Sequence, residues 1–183
     1  MRIIAGKHKG RKLESLPGKA TRPTSGKVRE AIFSICSEII PGACVLDLFA
    51  GTGAFGLEAI SRGAENAVFV DSDRRGIDII RKNIASCAEN ARTIVICADI
   101  TSRLNVLAGT GLHFDLVFLD PPYRSHAVRP ALENLAETGT LKTGARVVVE
   151  HDRYESIPED IPGLAIADRR KYGKTLVTFM KWL

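Results

Sequence analysis

No apolar run in the sequence approaches the roughly 18 to 20 residues that span a bilayer. The first residues are basic and glycine-rich, without the apolar segment of a secretory signal. A transmembrane helix and a signal peptide are therefore not expected, and a cytoplasmic protein with no membrane partner is. Cysteine is sparse and scattered: Cys36, Cys44, Cys87 and Cys97 form no C-x-x-C pair, and His8, His113, His126 and His151 lie far apart. That spacing argues against a zinc site and a disulfide framework, so no metal is expected and the cysteines read as small apolar residues. Gly6, Gly10 and Pro17 break any amphipathic helix that a transit peptide would need. Internal repeats and low-complexity segments are also lacking.

What is present is an ordinary globular composition, 45% apolar and 26% charged, in 183 residues, enough for one full-sized domain and a small appendage. The net charge of +5 is unevenly placed. Residues 1 to 29 hold nine Lys and Arg against Glu14 alone, a net of +8, while the remainder carries 17 against 20, a net of −3. A polyanionic partner for the first sixth of the chain follows from that asymmetry.

Residues 2 to 5 and 11 to 16 read as short strands around a Gly- and Lys-rich turn, a small basic β-hairpin. After a polar connector, Val28, Ile32, Ile35 and Ile39 recur at helical spacing, which predicts a helix with one buried stripe, closed by Pro41 and Gly42. Apolar runs at 44–49, 67–70, 93–97, 115–119 and 146–149 lack polar alternation, as expected for strands buried on both faces of a parallel sheet. Helical segments at 54–62, 73–87, 100–108 and 126–138 separate them. This alternation predicts a doubly wound α/β domain. Runs at 164–170 and 175–182, around Tyr172 and Gly173, add a C-terminal antiparallel hairpin and bring the expected strands to seven.

After the first run comes DLFAGTGAFGLEA, where Gly51, Gly53 and Gly56 satisfy G-x-G-x-x-G between a strand and a helix. Glycines there let the backbone approach a ligand at the helix N-terminus. The literal match is to a dinucleotide fingerprint, with Asp71, at the end of the second strand, placed to hold ribose hydroxyls. Asp47 tells against NAD. It sets a carboxylate near the ligand's middle, where NAD has an anionic pyrophosphate and S-adenosylmethionine has an ammonium and a sulfonium. Asp99, at the end of the third strand, is positioned to accept from an adenine amine. The alternative for Asp47 and Asp99 is that they cap the following helices.

The fourth strand runs into Asp120, Pro121, Pro122 and Tyr123. Two prolines fix the backbone and offer no N–H, so a carboxylate and carbonyls point outward as acceptors beside an aromatic plate. Such a turn suits an amino group on a flat ring: two acceptors take its hydrogens and stabilise positive charge as the nitrogen is alkylated, while Tyr123 stacks on the base. Little general-base work is needed, since the alkylated nitrogen becomes acidic. The alternative is a rigid turn with a surface tyrosine.

These motifs, with RIIAGKHKGRKL, Arg22-Pro23-Thr24, VREAIF, FVDSD and FDLVFLDPPY in order, resemble the RsmD family of 16S rRNA guanine-N2 methyltransferases, within the class I S-adenosylmethionine-dependent enzymes. The resemblance implies a Rossmann-like fold, S-adenosylmethionine as cofactor, and 16S rRNA or the small ribosomal subunit as partner. It implies cofactor contacts from Asp47, Gly51, Gly53, Asp71 and Asp99, with Thr52 between the glycines, and guanine contacts from Asp120 and Tyr123. Residues 1–25 are then an RNA-contacting extension and 26–183 the methyltransferase domain. Arg2, Lys7, Lys9, Arg11, Lys12, Arg22, Lys27 and Arg29 are the candidate phosphate ligands, and Arg22 and Thr24 could equally line the active site. Arg169, Arg170, Lys171 and Lys174 could extend that surface or form a solvated turn. No obligate protein partner is evident, consistent with a monomer. A DNA amino-methyltransferase, a non-catalytic ribosome-assembly factor and an NAD-linked oxidoreductase stay open as rivals. Removing the basic extension is expected to abolish RNA methylation and spare cofactor binding.

Overall fold

The computed structural model describes residues 1–15, 25–102, 104–123 and 125–183. Its elements are α1 (Gly26–Ile35), β1 (Cys44–Leu48), α2 (Ala54–Ser61), β2 (Asn66–Asp71), α3 (Arg74–Cys87), β3 (Thr93–Cys97), β4 (Phe114–Leu119), α4 (Val128–Glu137), β5 (Leu141–Asp152), β6 (Leu164–Tyr172) and β7 (Thr175–Trp182). The strands form one seven-stranded sheet in the order β3-β2-β1-β4-β5-β7-β6. The first five are parallel, and β7 inserts antiparallel between β5 and β6. The expected α/β architecture and terminal hairpin are thus present. β1 lies inside the sheet between β2 and β4 and is buried along its whole length, which explains its unbroken apolar run.

One face of the sheet packs on α1, α2 and α3. The other packs on α4 and a 3-10 segment, Asn105–Thr110. A stack of Phe33, Phe55 and Phe118 joins α1, α2 and β4, with ring centroids 4.8 Å apart for Phe55–Phe118 and 5.2 Å for Phe33–Phe118. Among the described residues no helix is long and apolar enough to cross a membrane.

Three local expectations are corrected. The buried residues of α1 are Val28, Arg29, Ile32 and Phe33, with Cys36 buried at its C-cap; Ile35 is exposed, and the helix ends there before Ile39 could continue the row. Among the described residues of 100–108 there is no α-helix: Asp99 Oδ1 accepts from the Thr101 N–H and hydroxyl and makes a turn, and a 3-10 segment begins at Asn105. β3 is the edge of the sheet and half-exposed, so it is not buried on both faces.

The N-terminal arm is a minimal hairpin. Its one bridge pairs Arg2 with Lys12, and Ile3 and Leu13 are buried in the core beside α1 and α2. Ile3 N donates to the Arg11 carbonyl, Gly10 N to that of Ile3 and Leu13 N to that of Met1, and polar side chains of the domain take further amides. The Glu58 carboxylate accepts from Ile4 N at 2.7 Å and Ala5 N at 3.0 Å, and Ser61 Oγ accepts from His8 N at 2.9 Å. Gly6 is required at this contact, because a Cβ there would stand 1.8 Å from the Ser61 carbonyl oxygen. Arg22, Thr24 and the end of the expected strand at Leu16 lie outside the described residues.

Candidate active site and nucleic-acid interface

The strand order reverses direction between β1 and β4, so the loops after these two neighbours face each other across the crevice where open α/β sheets bind ligands. The glycine loop follows β1 and the Asp120–Tyr123 turn follows β4. Gly51 and Gly53 both take positive φ, 56° and 75°. Gly56 is dictated by packing instead: a Cβ there would lie 2.3 Å from Phe69 Cε1 of β2. Phe49, just before the loop, also holds a positive φ of 58°, a strained conformation of the kind that clusters at ligand sites.

The strand-end acids converge here. Asp47 is 1% exposed and accepts from Gly56 N at 2.9 Å. Burial lifts its carboxyl well above the ordinary carboxylate range; the Gly56 N–H opposes this, and the nearby charges of Asp120 and Asp71 add to it. Asp71 accepts from Gly51 N at 2.7 Å and Asp73 N at 2.9 Å, tying the glycine loop to the end of β2. Three carboxylates at one sheet edge repel one another. A cation between them relieves that repulsion, and a pyrophosphate would increase it. The donor set therefore fits a cofactor carrying positive charge. Among the described residues no group of three or more His, Cys, Asp or Glu side chains could hold a metal ion.

In the turn after β4 Asp120 is half-buried, Pro121 is buried and Pro122 is exposed, and the Pro122 carbonyl accepts from Ser125 N at 3.2 Å. Tyr123 is 40% exposed, its hydroxyl 2.9 Å from Thr175 Oγ1 and 3.4 Å from Glu150 Oε1. Its hydroxyl is held above its usual pKa by burial, with Glu150 and Asp120 contributing, so the ring stays a neutral plate. Thr175 and Glu150 escaped the sequence reading. Glu150 had a signal, because it ends an apolar run as Asp47 and Asp71 do; Thr175 had none.

The basic residues divide. Arg2, Lys7, Lys9, Arg11 and Lys12, with His8 beneath them, line a cleft of about 430 Å³ on the arm. His8 is seated on Glu89 at 2.6 Å. Lys7 N donates to the Ser61 carbonyl at the end of α2, and the Arg11 guanidinium donates to the Ser86 carbonyl near the end of α3. Arg11 thus grips α3 within one turn of Asn83. Lys27 is exposed on α1. Arg29 is corrected as a phosphate ligand: it is 2% exposed and its guanidinium donates to the Arg2 carbonyl and Met1 Sδ, both at 2.6 Å, fastening the arm to α1.

The family described as conserved hypothetical protein 95 matches residues 1–181. YlbH of Bacillus subtilis (strain 168) is 36% identical over 181 residues, covering 99% of this chain and 98% of that protein. Ribosomal RNA small subunit methyltransferase D of Escherichia coli (strain K12) is 36% identical over 159 residues, covering 86% of this chain and 78% of that protein. Among solved structures, Escherichia coli yhhF superposes with a TM-score of 0.84 at 32% identity, covering 100% of this chain and 97% of that one.

Proposed function

The chain belongs to the conserved hypothetical protein 95 family, the RsmD family, and from that membership we propose that it methylates the exocyclic N2 amine of a guanine in 16S ribosomal RNA of the small subunit, using S-adenosylmethionine. The observation that carries this reading is the convergence of Asp47, Asp71 and Asp120 beside a glycine loop. S-adenosylmethionine, when bound, supplies a methyl group on a sulfonium as the electrophile. Asp47, Gly51, Thr52 and Gly53 would hold its charged end, Asp71 its ribose and Asp99 its adenine.

Toward the acceptor, the Asp120 carboxylate and the Pro121 carbonyl take the two hydrogens of the amine, Pro122 fixes the turn, and Tyr123 stacks on the base. The arm cleft with Lys27, and Arg22 by its place in the sequence, would clamp phosphates, residues 1–25 serving as RNA contact and 26–183 as methyltransferase domain. The E. coli relative's name supports the RNA class.

The test incubates the protein and labelled cofactor with unmodified small subunits, naked 16S rRNA and duplex DNA, then maps the methylated nucleotide. One guanine should be labelled at N2, and Asp120→Ala should lower the rate by about 10²- to 10³-fold. Label on adenine or preferential labelling of DNA would overturn the substrate; calorimetric binding of NAD with none of S-adenosylmethionine would overturn the cofactor.

A further inference from the structure

Asn83, on α3, is 1% exposed and every hydrogen-bonding group of its amide is engaged. Its Oδ1 accepts from Glu14 N at 2.8 Å, and its Nδ2 donates to Glu14 O at 3.1 Å and to Thr52 O at 2.9 Å. Toward the arm the side chain pairs with both backbone groups of one residue, as a neighbouring strand would. Toward the crevice it takes the carbonyl of the residue between Gly51 and Gly53. One buried amide thus closes a path from the arm to the loop placed against the cofactor.

We propose that Asn83 is a positioning residue for the glycine loop and that, through it, the N-terminal arm is a structural part of the cofactor site. This rests on the reading that the loop binds S-adenosylmethionine. Gly51 and Gly53 give the loop its required φ values and also its freedom to leave them. The Thr52 carbonyl is where the loop is held from beneath. Glu14 in turn holds the amide plane, because two of the amide's three bonds go to that residue. No other side chain meets these demands. Asp can accept from Glu14 N but sets a second carboxylate oxygen against two carbonyls, and Ala leaves buried donors and acceptors unsatisfied.

The test uses the full chain and two readouts. Calorimetry with S-adenosylhomocysteine should show about tenfold weaker binding for Asn83→Asp and Asn83→Ala. Leu13→Ala, which loosens the buried arm beside Glu14 without touching the loop, should weaken binding severalfold in the wild-type background and add nothing in the Asn83→Ala background. Circular dichroism and melting temperatures above that of the assay confirm that each variant is folded, so a purely structural role would lower melting temperature and leave affinity unmoved. Hydrogen exchange of the Gly53 amide, bonded to the Ala50 carbonyl in the ligand-free protein, should quicken in both Asn83 variants. Affinity within twofold of wild type in folded Asn83 variants, or a Leu13→Ala effect that is absent or persists undiminished in Asn83→Ala, overturns the proposal. If the wild type binds no S-adenosylhomocysteine, the cofactor reading falls, and the Gly53 exchange still decides whether Asn83 and the arm hold the loop.

Discussion

The molecule carries two hairpins, and they are attached by opposite means. The C-terminal one, β6 and β7, is joined to the sheet by a continuous backbone ladder: eight residue pairs join its strands and seven join β7 to β5. Among its described residues the N-terminal arm has one bridge and a few backbone bonds across its own turn, from Ile3, Gly10 and Leu13, and it is docked on the domain through the side chains of Glu58, Ser61 and Asn83, all 3% exposed or less. A backbone ladder distributes its energy over many equivalent bonds. Docking on side chains concentrates it in a few, each of which a single substitution can remove.

The sharpest way to break this contrast is Glu58→Ala, which leaves the Ile4 and Ala5 amides without their acceptor and strips Arg62 of its 2.8 Å partner. A cost of about 3 kcal/mol or more is expected, lowering the melting temperature by about 6 to 12 °C. In the other hairpin Lys174→Ala, at the exposed turn, should stay within about 0.5 kcal/mol. Equal melting shifts for the two would mean that the arm is not held as described.

A smaller effect separates what the C-terminal hairpin does for stability from what it does for the site. Thr175→Val removes the hydroxyl 2.9 Å from that of Tyr123 while leaving the ladder intact. Methyl transfer should fall about three- to tenfold, since a lost hydrogen bond is worth about 1 kcal/mol, with the melting temperature nearly unchanged. A loss of stability without loss of rate would reverse the assignment.

The least change, and of opposite sign, is expected in the sheet between the hairpins. Asp47 holds its proton more tightly folded than unfolded. The stability it contributes is therefore fully present below the ordinary carboxylate pKa of about 3.9 and is lost as pH rises through its raised folded value. Asp47→Asn removes that loss, so the ligand-free variant should melt above wild type at neutral pH, with the gap closing toward pH 4. Its cofactor affinity should fall at the same time. A variant that melts lower at pH 7 would show that the carboxylate is better accommodated than its burial implies.

Much of this was legible because it is periodic. The five parallel strands and the terminal hairpin announced themselves as apolar runs between helical segments, and the acids at 47, 71 and 120 stood at strand ends where ligands bind. What escaped is polar and buried. Arg29 counts as one more positive charge until its guanidinium is seen under the arm, and nothing in RKNIASC singles Asn83 out. Their role depends on what another segment, tens of residues away, places against them. β3 was misjudged for a related reason: TIVIC is as apolar as a central strand, and only the sheet order reveals that, among the described residues, it stands at the edge.

The turn of α3 that carries Asn83 and Ser86 has a consequence of its own. Asn83 joins Glu14 to Thr52, 38 residues apart in the chain, and the Ser86 carbonyl takes the Arg11 guanidinium. Arm and glycine loop therefore share one footing: a disturbance of that turn reaches both, and damage to either one cannot be read as a defect of that segment alone.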